Sequence, residues 1–309
     1  METFLQQLIN GLVLGSVYAL VALGYTMVYG ILGLINFAHG DIVMIGAMVA
    51  TAVVAAILGF EPNLPHLMTL FIGVFAGIIA CMITGFLIER IAYRPLRHAP
   101  KLSPLITAIG VSIVLQNMAM IIWGKHYIPF PHVINVIQYD FFNASFSNLQ
   151  VVIVCLSALT MFALFLLVQK TKLGCAMRAT ASSPEIARLM GVNTNSIISV
   201  TFIIGSALAA IAGVMVSAYY GVIHYYMGFM LGLKAFTAAV LGGIGNIFGA
   251  MLGGLLLGVI ESMAAGYIGP LTGGFLGSHY QDVFAFIVLI TVLFFRPSGL
   301  LGAPVNEKL

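Results

Sequence analysis

Long apolar runs with almost no charged residues make up most of this chain. They lie near residues 7–30, 42–58, 68–88, 104–123, 150–168, 197–217, 234–266 and 282–296. Because a helix needs about 20 apolar residues to cross the hydrocarbon core of a bilayer, these runs are candidate membrane spans. The run at 234–266 is too long for one ordinary span and is rich in glycine. It predicts two short helices, or one span preceded by a re-entrant segment.

The pattern therefore predicts an all-α fold, a polytopic transmembrane helix bundle of about eight to nine spans with glycine-rich broken or re-entrant segments. Of the 309 residues, 61% are hydrophobic and 7% are charged, whereas a soluble domain carries about 25% charged residues. A soluble fold would lack a polar surface, so lipid must surround most of the chain. The net charge of +3 gives no reason to expect a nucleic-acid partner.

The distribution of lysine and arginine predicts the orientation, because cytoplasmic loops retain these residues. They concentrate in the loop at 89–103, the loop at 169–196 and the C-terminal tail, leaving only Lys125 and Lys234 for the other side. We therefore expect a multi-pass membrane protein with these three segments in the cytoplasm. Three full spans before residue 89 would place the N-terminus outside, whereas a re-entrant segment at 36–41 would place it inside.

A polar and aromatic segment at 124–149 is the largest predicted outer loop. Pro129, Pro131, His132, Asn143 and Asn148 lie in it. Two interpretations are open: a plain connector, or a docking surface for a component outside the membrane.

Polar residues interrupt the apolar pattern between the first two runs. Asn36, His39 and Asp41 lie there together with Gly33 and Gly40. Since polar groups at membrane depth are costly and usually functional, this segment predicts a broken helix whose freed backbone groups line a cavity. Helix ends would present partial charges to the carboxylate and ammonium groups of a zwitterionic solute. The alternative is a short polar turn at the membrane interface.

A similar interruption occurs in the second half of the chain, where Gly242, Gly243 and Asn246 separate two apolar arms. Glycine-interrupted segments in matching halves indicate a transport site. Glu261 lies within an apolar stretch, and we favour a structural hydrogen bond for it over a role in proton transfer. The candidate pathway residues are Asn36, His39, Asp41, Gly242, Gly243, Asn246 and Glu261.

Many glycines recur at intervals of four residues, as at Gly11 and Gly15, and at Gly254 and Gly258. In lipid, helices associate through close backbone approach at small residues. This spacing predicts tight helix packing rather than contact with a solute. The cysteines Cys81, Cys155 and Cys175 are odd in number and widely spaced, so we expect neither a metal nor a cofactor.

The loop at 169–196 predicts a short capped helix. Ser183 suits the N-cap, Pro184 the first helical position and Glu185 the positive end of the helix dipole, while Gly191 suits a left-handed stop. Leu189 and Met190 would fit a groove on a partner. The chain has no Gly-x-x-x-x-Gly-Lys-Ser/Thr phosphate loop and no catalytic constellation, so it is not expected to be an enzyme.

Four segments resemble a known family. GLVLGSVYALVALGYTMVYGILGLINFAHGD (11–41), IERIAYRPLR (88–97), GCAMRATASSPEIARLMGVN (174–193) and KAFTAAVLGGIGNIFGAMLGG (234–254) resemble the LivH-type permease of bacterial branched-chain amino-acid ABC importers. The resemblance runs from about residue 5 to residue 303. It implies that residues 1–309 form a single permease domain, with residues 169–196 as the cytoplasmic coupling loop.

The same resemblance implies partners: a second, LivM-type permease, two cytoplasmic ABC ATPase subunits and a periplasmic binding protein that delivers leucine, isoleucine or valine. ATP hydrolysis would then occur on separate subunits. The residues that match the family's coupling segment, and so become candidates for docking on the ATPase, are Arg178, Ala179, Pro184, Glu185, Ala187 and Gly191. Permeases for urea and short amides are similar in the same motifs and supply an alternative substrate class.

Two other functions compete with an ATP-coupled permease. A stand-alone channel or ion-coupled carrier would use Asp41 and Glu261, and it would transport solute without partner subunits. An intramembrane enzyme would use His39 and Asp41 as acid and base, but the sequence supplies no nucleophile to accompany them.

Overall fold

The computed structural model describes residues 2–97, 99–100, 102–131, 133–141, 144–273, 275, 277 and 280–302. Within these ranges the chain forms eleven α-helices and four short β-strands, which confirms the predicted all-α class. Seven of the described helices are long and apolar enough to cross a membrane, and two shorter apolar helices accompany them. These nine agree with the predicted eight to nine spans. Lys101, His132, Asn143 and Lys308 lie outside the described residues.

The chain divides into two compact units. The terminal unit contains Met1–Thr26, Val136–Met161 and Lys234–Leu309, and the central unit contains Met27–Asn135 and Phe162–Leu233. Three helices continue from one unit into the other, namely α1 (Glu2–Leu32), α5 (Asn148–Lys170) and α9 (Met227–Gly242).

The central unit is built around three mutually packed helices, α2 (His39–Phe60), α3 (His66–Leu87) and α8 (Thr194–Tyr220). It also contains α4 (Leu102–Trp123), α6 (Lys172–Ser182) and α7 (Pro184–Leu189). Small residues allow close approach, because a Cβ added at Gly46 would lie 2.7 Å from the Cα of Ala210. Helix α3 continues into the α3 extension (residues 88–97), which contains a π-helical turn, Ile88–Tyr93, and a 3-10 turn, Arg94–Leu96.

The terminal unit contains α10 (Ile247–Leu271), α11 (Gln281–Phe295) and the first part of α1. Glycines bring α1 against α10: a Cβ added at Gly15 would lie 2.8 Å from the Cα of Leu255, and one at Gly11 would lie 2.7 Å from the Cα of Val259. A Cβ at Gly254 or Gly258 would overlap the α1 backbone in the same way. This confirms the packing role predicted from the four-residue spacing.

Both predicted interruptions are present as breaks in helical structure. Helix α1 ends at Leu32 before α2 begins at His39, and α9 ends at Gly242 before α10 begins at Ile247. Gly243 and Gly245 have φ of 107° and 93°, a left-handed region that glycine enters without steric cost. The run at 234–266 is therefore divided between two helices.

Two small β-ladders were not predicted. In the central unit β1 (Ile128–Pro129) pairs antiparallel with β4 (Val222–Ile223), next to the end of α8. In the terminal unit β2 (Gln138–Phe141) pairs with β3 (Ala144–Ser147) as a hairpin. The segment at 124–149 thus contains three short strands, and both interpretations of it, a plain connector or a docking surface, stay predictions.

The contact between α1 and α10 generates a test of glycine packing. We expect Gly15→Ala to lower the stability of the purified protein by about 1–3 kcal/mol, because overpacked atoms force helices apart. Thermal unfolding in detergent, followed by the loss of monodisperse protein on size-exclusion chromatography, measures the effect.

The matched control is Gly110→Ala on α4, where an added Cβ meets nothing within 4 Å. That variant should be neutral or more stable, since alanine has the higher helix propensity. Equal midpoints for the two variants would contradict a packing role for Gly15.

Candidate functional site

The candidate pathway residues form two groups, one in each unit. Asn36, His39 and Asp41 belong to the central unit, whereas Gly242, Gly243, Asn246 and Glu261 belong to the terminal unit.

In the central unit, Asp41 lies in the first turn of α2 and is 1% exposed. Gln116 on α4 donates its Nε2 hydrogen to Asp41 Oδ1 at 2.9 Å, and also to Ser112 Oγ at 3.2 Å. Among the described residues, Asp41 Oδ2 has no hydrogen-bond partner. A carboxylate is favourable at a helix N-terminus, but a buried oxygen without a donor is costly. This oxygen is therefore available to a polar group of a ligand or to water.

Asn36 and His39 lie in the same turn of the chain. The backbone N–H of His39 donates to the carbonyl oxygen of Asn36 at 3.0 Å, and both side chains are buried. Asn36 Oδ1 accepts from the hydroxyl of Tyr93 at 3.1 Å, while Asn36 Nδ2 has no hydrogen-bond partner among the described residues. The structure thus brings the three predicted residues of this group together at the start of α2.

The start of α2 lies unusually close to the start of α9. A Cβ added at Gly40 would lie 2.8 Å from the Cα of Gly232 and would overlap the backbone at Gly228. A side chain at Gly40 would push the two helix starts apart. The broken segment is therefore held at a close backbone approach, a typical reason for glycine at such a site.

Glu261 in the terminal unit belongs to a cluster of ionic groups. Lys234 Nζ on α9 lies 2.6 Å from Glu261 Oε1 on α10 and 2.8 Å from Asp282 Oδ1 at the start of α11. Gln281 Nε2 donates to the same Glu261 oxygen at 3.3 Å. Sequence reasoning placed Lys234 on the outer side and missed this pairing, because the two residues lie 27 positions apart.

The space beside this cluster is small. The cavity lined by Lys234, Glu261 and Asp282 has a volume of about 10 Å³, which is about the size of a single water site. An amino acid does not fit there in this conformation. The ion pairs join α9, α10 and α11, in line with the structural role that we favoured for Glu261.

Gly242, Gly243 and Asn246 shape the joint between α9 and α10. Asn246 is the N-cap of α10 and accepts from the backbone N–H of Gly249 at 3.2 Å. Its Nδ2 donates to the carbonyl oxygen of Leu301 at 2.7 Å. The backbone N–H of Leu301 in turn donates to the carbonyl oxygen of Gly242 at 2.9 Å. The hydrogen bonds of Asn246 and Gly242 described above are therefore all made to other groups of this chain.

The predicted capped helix is present as α7. Ser183 Oγ accepts from the backbone N–H of Ile186 at 3.3 Å, Pro184 is the first helical residue, and Gly191 has φ of 84°. Leu189 and Met190 are 87% and 79% exposed. The helix therefore presents an apolar tip that the rest of the described chain does not cover.

The other coupling candidates divide by exposure. Ala179, Pro184 and Glu185 are exposed, whereas Ala187 is buried and accepts at its carbonyl oxygen from the backbone N–H of Val192 at 3.0 Å. The guanidinium of Arg178 donates to the carbonyl oxygen of Val168 at the end of α5. Ala187 and Arg178 thus hold the segment in place. Sequence reasoning did not anticipate the preceding helix α6.

A buried ion pair in the α3 extension was also missed. Glu89 is fully buried and pairs with Arg97, whose side chain is 11% exposed. The motif IERIAYRPLR contains both residues, but eight positions separate them, which is not a helical i to i+4 pairing. Only the π-helical and 3-10 turns bring the two charges together.

The chain matches the family model for the permease component of branched-chain amino acid transport systems over residues 7–293. It is 46% identical over 311 residues to the high-affinity branched-chain amino acid transport system permease protein LivH of Salmonella typhimurium, a match that covers 99% of this chain and 97% of the relative. It is 47% identical over 311 residues to the permease protein BraD of the corresponding system of Pseudomonas aeruginosa, covering 99% and 98%.

A more distant relative is the galactofuranose transporter permease protein YtfT of Escherichia coli, 28% identical over 281 residues that cover 89% of this chain and 75% of the relative. No solved structure matches the chain significantly. The match to the family model extends over most of the chain, and the high identities extend over nearly all of it. The chain therefore belongs to the family of permease components of branched-chain amino acid transport systems.

Proposed function

We propose that this chain is a permease subunit of an ATP-driven importer in the bacterial inner membrane, and that its solutes are leucine, isoleucine and valine. The observation that carries the proposal is the 46–47% identity, over nearly the whole chain, to permeases whose names specify high-affinity branched-chain amino acid transport. The apolar helices that are long enough to span a membrane support a path through the bilayer.

In this proposal residues 1–309 act as one permease domain that pairs with a second, LivM-type permease. Two cytoplasmic ABC ATPases supply the energy, and a periplasmic binding protein delivers the solute. The exposed apolar tip of α7, formed by Leu189 and Met190, suits a groove on an ATPase, since partners commonly bury such anchors. Residues 169–196 are then the coupling loop, and the permease itself catalyses no reaction.

The start of α2 is the proposed contact for the polar groups of the solute. Asp41 Oδ2 lacks a hydrogen-bond partner among the described residues, and a carboxylate oxygen suits an ammonium group. Asn36 Nδ2, also without a partner there, would donate to a carboxylate. A zwitterionic amino acid offers both groups, whereas urea and short amides offer neither charge.

Reconstitution tests the proposal directly. We expect proteoliposomes that hold the chain with its second permease, its ATPases and its binding protein to accumulate leucine, isoleucine and valine only when ATP is present. Vesicles that hold the chain alone should accumulate nothing. Accumulation by the lone chain would support the carrier alternative, and preferential uptake of urea or of galactofuranose would reject the assigned substrate class.

Gly191 provides a test of the coupling loop. We expect Gly191→Val to uncouple ATP hydrolysis from uptake, because a β-branched residue at φ of 84° is strained by about 1–3 kcal/mol and would disorder the end of α7. Uptake and stimulation of the ATPase by the binding protein are measured on the assembled complex.

Gly191→Asn is the matched control, since asparagine tolerates left-handed backbone better than valine does. No atom lies within 4 Å of a Cβ added at this position, so steric overlap does not complicate the comparison. Unchanged uptake and unchanged ATPase stimulation in the valine variant would count against the coupling assignment.

Asp41 provides a test of the pathway. We expect Asp41→Asn to raise the KM for leucine uptake about tenfold or more, because it removes a charge that would pair with the ammonium group. The amount of assembled complex should not change, since asparagine has nearly the same shape. The control is Glu61→Gln at the exposed C-terminal end of the same helix, which should leave KM unaltered. Normal uptake kinetics in the Asp41 variant would exclude it from the pathway.

A further inference from the structure

One face of the first part of α8 contacts the α3 extension. Asn195, Ser199 and Phe202 follow each other at intervals of four and three residues and therefore lie on the same side of the helix. Each of them meets a side chain of residues 88–97. Helix α8 begins five residues after α7 ends. This face of α8 therefore follows the coupling helix closely in the chain.

A buried ion pair forms the first part of this contact. Arg97 donates to Glu89 Oε1 and, through its other terminal nitrogen, to Asn195 Oδ1 at 2.6 Å. Ser199 Oγ donates to Glu89 Oε2 at 2.6 Å. Both carboxylate oxygens of Glu89 are thus occupied, and the planar guanidinium fixes the direction of its bonds. The α3 extension and the start of α8 are therefore held in one defined arrangement.

The contact continues toward the broken segment before α2. The ring of Tyr93 packs on Phe202 with 5.4 Å between ring centroids, and its hydroxyl donates to Asn36 Oδ1 at 3.1 Å. Tyr93 is thus held between α8 and a candidate residue of the pathway. Removal of the Tyr93 hydroxyl alone would eliminate the hydrogen bond to Asn36 and keep the ring contact with Phe202.

The contact also continues toward α7. Arg188 Nε donates to Thr194 Oγ1 at 2.8 Å, and Thr194 is the first residue of α8. Arg188 lies in the last turn of α7. Side-chain contacts, joined by the backbone from Thr194 to Asn195 and from Glu89 to Tyr93, therefore lead from α7 to Asn36 within the central unit.

The backbone of the α3 extension is itself unusual. Glu89 and Tyr93 both lie in the π-helical turn Ile88–Tyr93. Turns of this kind are rare and are frequently found at functional sites. A π-helical turn can convert to a regular α-helical turn. A small displacement of α8 can therefore be accommodated by this local change of the backbone. This conversion would reorient the side chains of Glu89 and Tyr93 together.

We propose that Glu89, Arg97 and Tyr93 form a positioning link that transmits displacement of the coupling loop to Asn36 in the solute pathway. The inference rests on the proposed function of α7 as the coupling helix. It adds residues that would act on the transport step through contacts within the chain. A buried ion pair that merely stabilises the fold would instead lower the yield of folded complex and leave coupling unaltered.

Tyr93→Phe is the decisive variant, because it removes one hydroxyl and keeps the ring that packs on Phe202. We expect the assembled complex to hydrolyse ATP at a rate within about twofold of the native complex. Uptake of leucine per ATP hydrolysed should fall about fivefold or more, the lower range of measured coupling between distant sites. Tyr226→Phe is the matched control, since the Tyr226 side chain is 43% exposed, and its ratio should not change.

A double-mutant cycle tests whether Glu89 acts through the same link. We expect Glu89→Gln to lower the same ratio, and the double variant with Tyr93→Phe to be no worse than the more impaired single variant, because residues that act as one unit are not additive. Arg90→Ala, a charge loss at an exposed residue of the same π-helical turn, should retain the native ratio.

The outcomes separate the link from the function on which it rests. A native complex that fails to couple ATP to uptake overturns the proposed function, whatever the variants do. A native complex that couples normally, together with a Tyr93→Phe complex of native ratio, overturns the link alone. If Glu89→Gln prevents assembly, the hydroxyl variant still decides the question, because it alters no charge and keeps the ring that packs on Phe202.

Discussion

Every backbone polar group within a bilayer must find its partner inside the protein, and this constraint decides where the chain can leave a helix. At the joint between α9 and α10, three structural features satisfy this constraint. Asn246 caps the start of α10, two glycines adopt left-handed backbone, and the N–H groups of Leu300 and Leu301 bond to the last carbonyls of α9 at 2.9 Å each. The C-terminal segment is therefore part of this joint.

The break before α2 differs from this joint in its side chains. Its backbone is tied by the bond from His39 to Asn36, and Gly40 allows the start of α9 to approach. Two buried side-chain atoms, Asn36 Nδ2 and Asp41 Oδ2, stay without hydrogen-bond partners among the described residues. Native proteins seldom leave such groups unsatisfied without a functional reason. The two breaks thus differ. At the joint between α9 and α10 the polar groups bond to the chain itself, whereas the break before α2 keeps two buried polar atoms without partners among the described residues.

Buried charges serve as joints between helices in both units. Glu89 and Arg97 tie the α3 extension to α8, while Lys234 ties α9 to α10 and α11. Removing one partner from such a pair leaves an uncompensated charge and costs about 3–5 kcal/mol. Charged residues are scarce in this chain, and these few lie at contacts between helical elements. These ion pairs add to the close packing at small residues that brings helices together in lipid.

The amino-acid sequence by itself determined the features that depend on neighbouring residues. Apolar runs predicted the spans, glycines with asparagine predicted the break at 242–246, and Ser183, Pro184 and Gly191 predicted α7, because length, backbone freedom and capping act within a few residues. Family membership followed from motifs of the same local kind. The tertiary structure alone decided what joins distant residues. Glu89 meets Ser199 across 110 positions, and β1 pairs with β4 although four helices, α5 to α8, lie between them in the sequence. Such pairings depend on which helix faces the lipid and which faces a neighbouring helix. An apolar run has the same composition in both cases, so the sequence does not distinguish them.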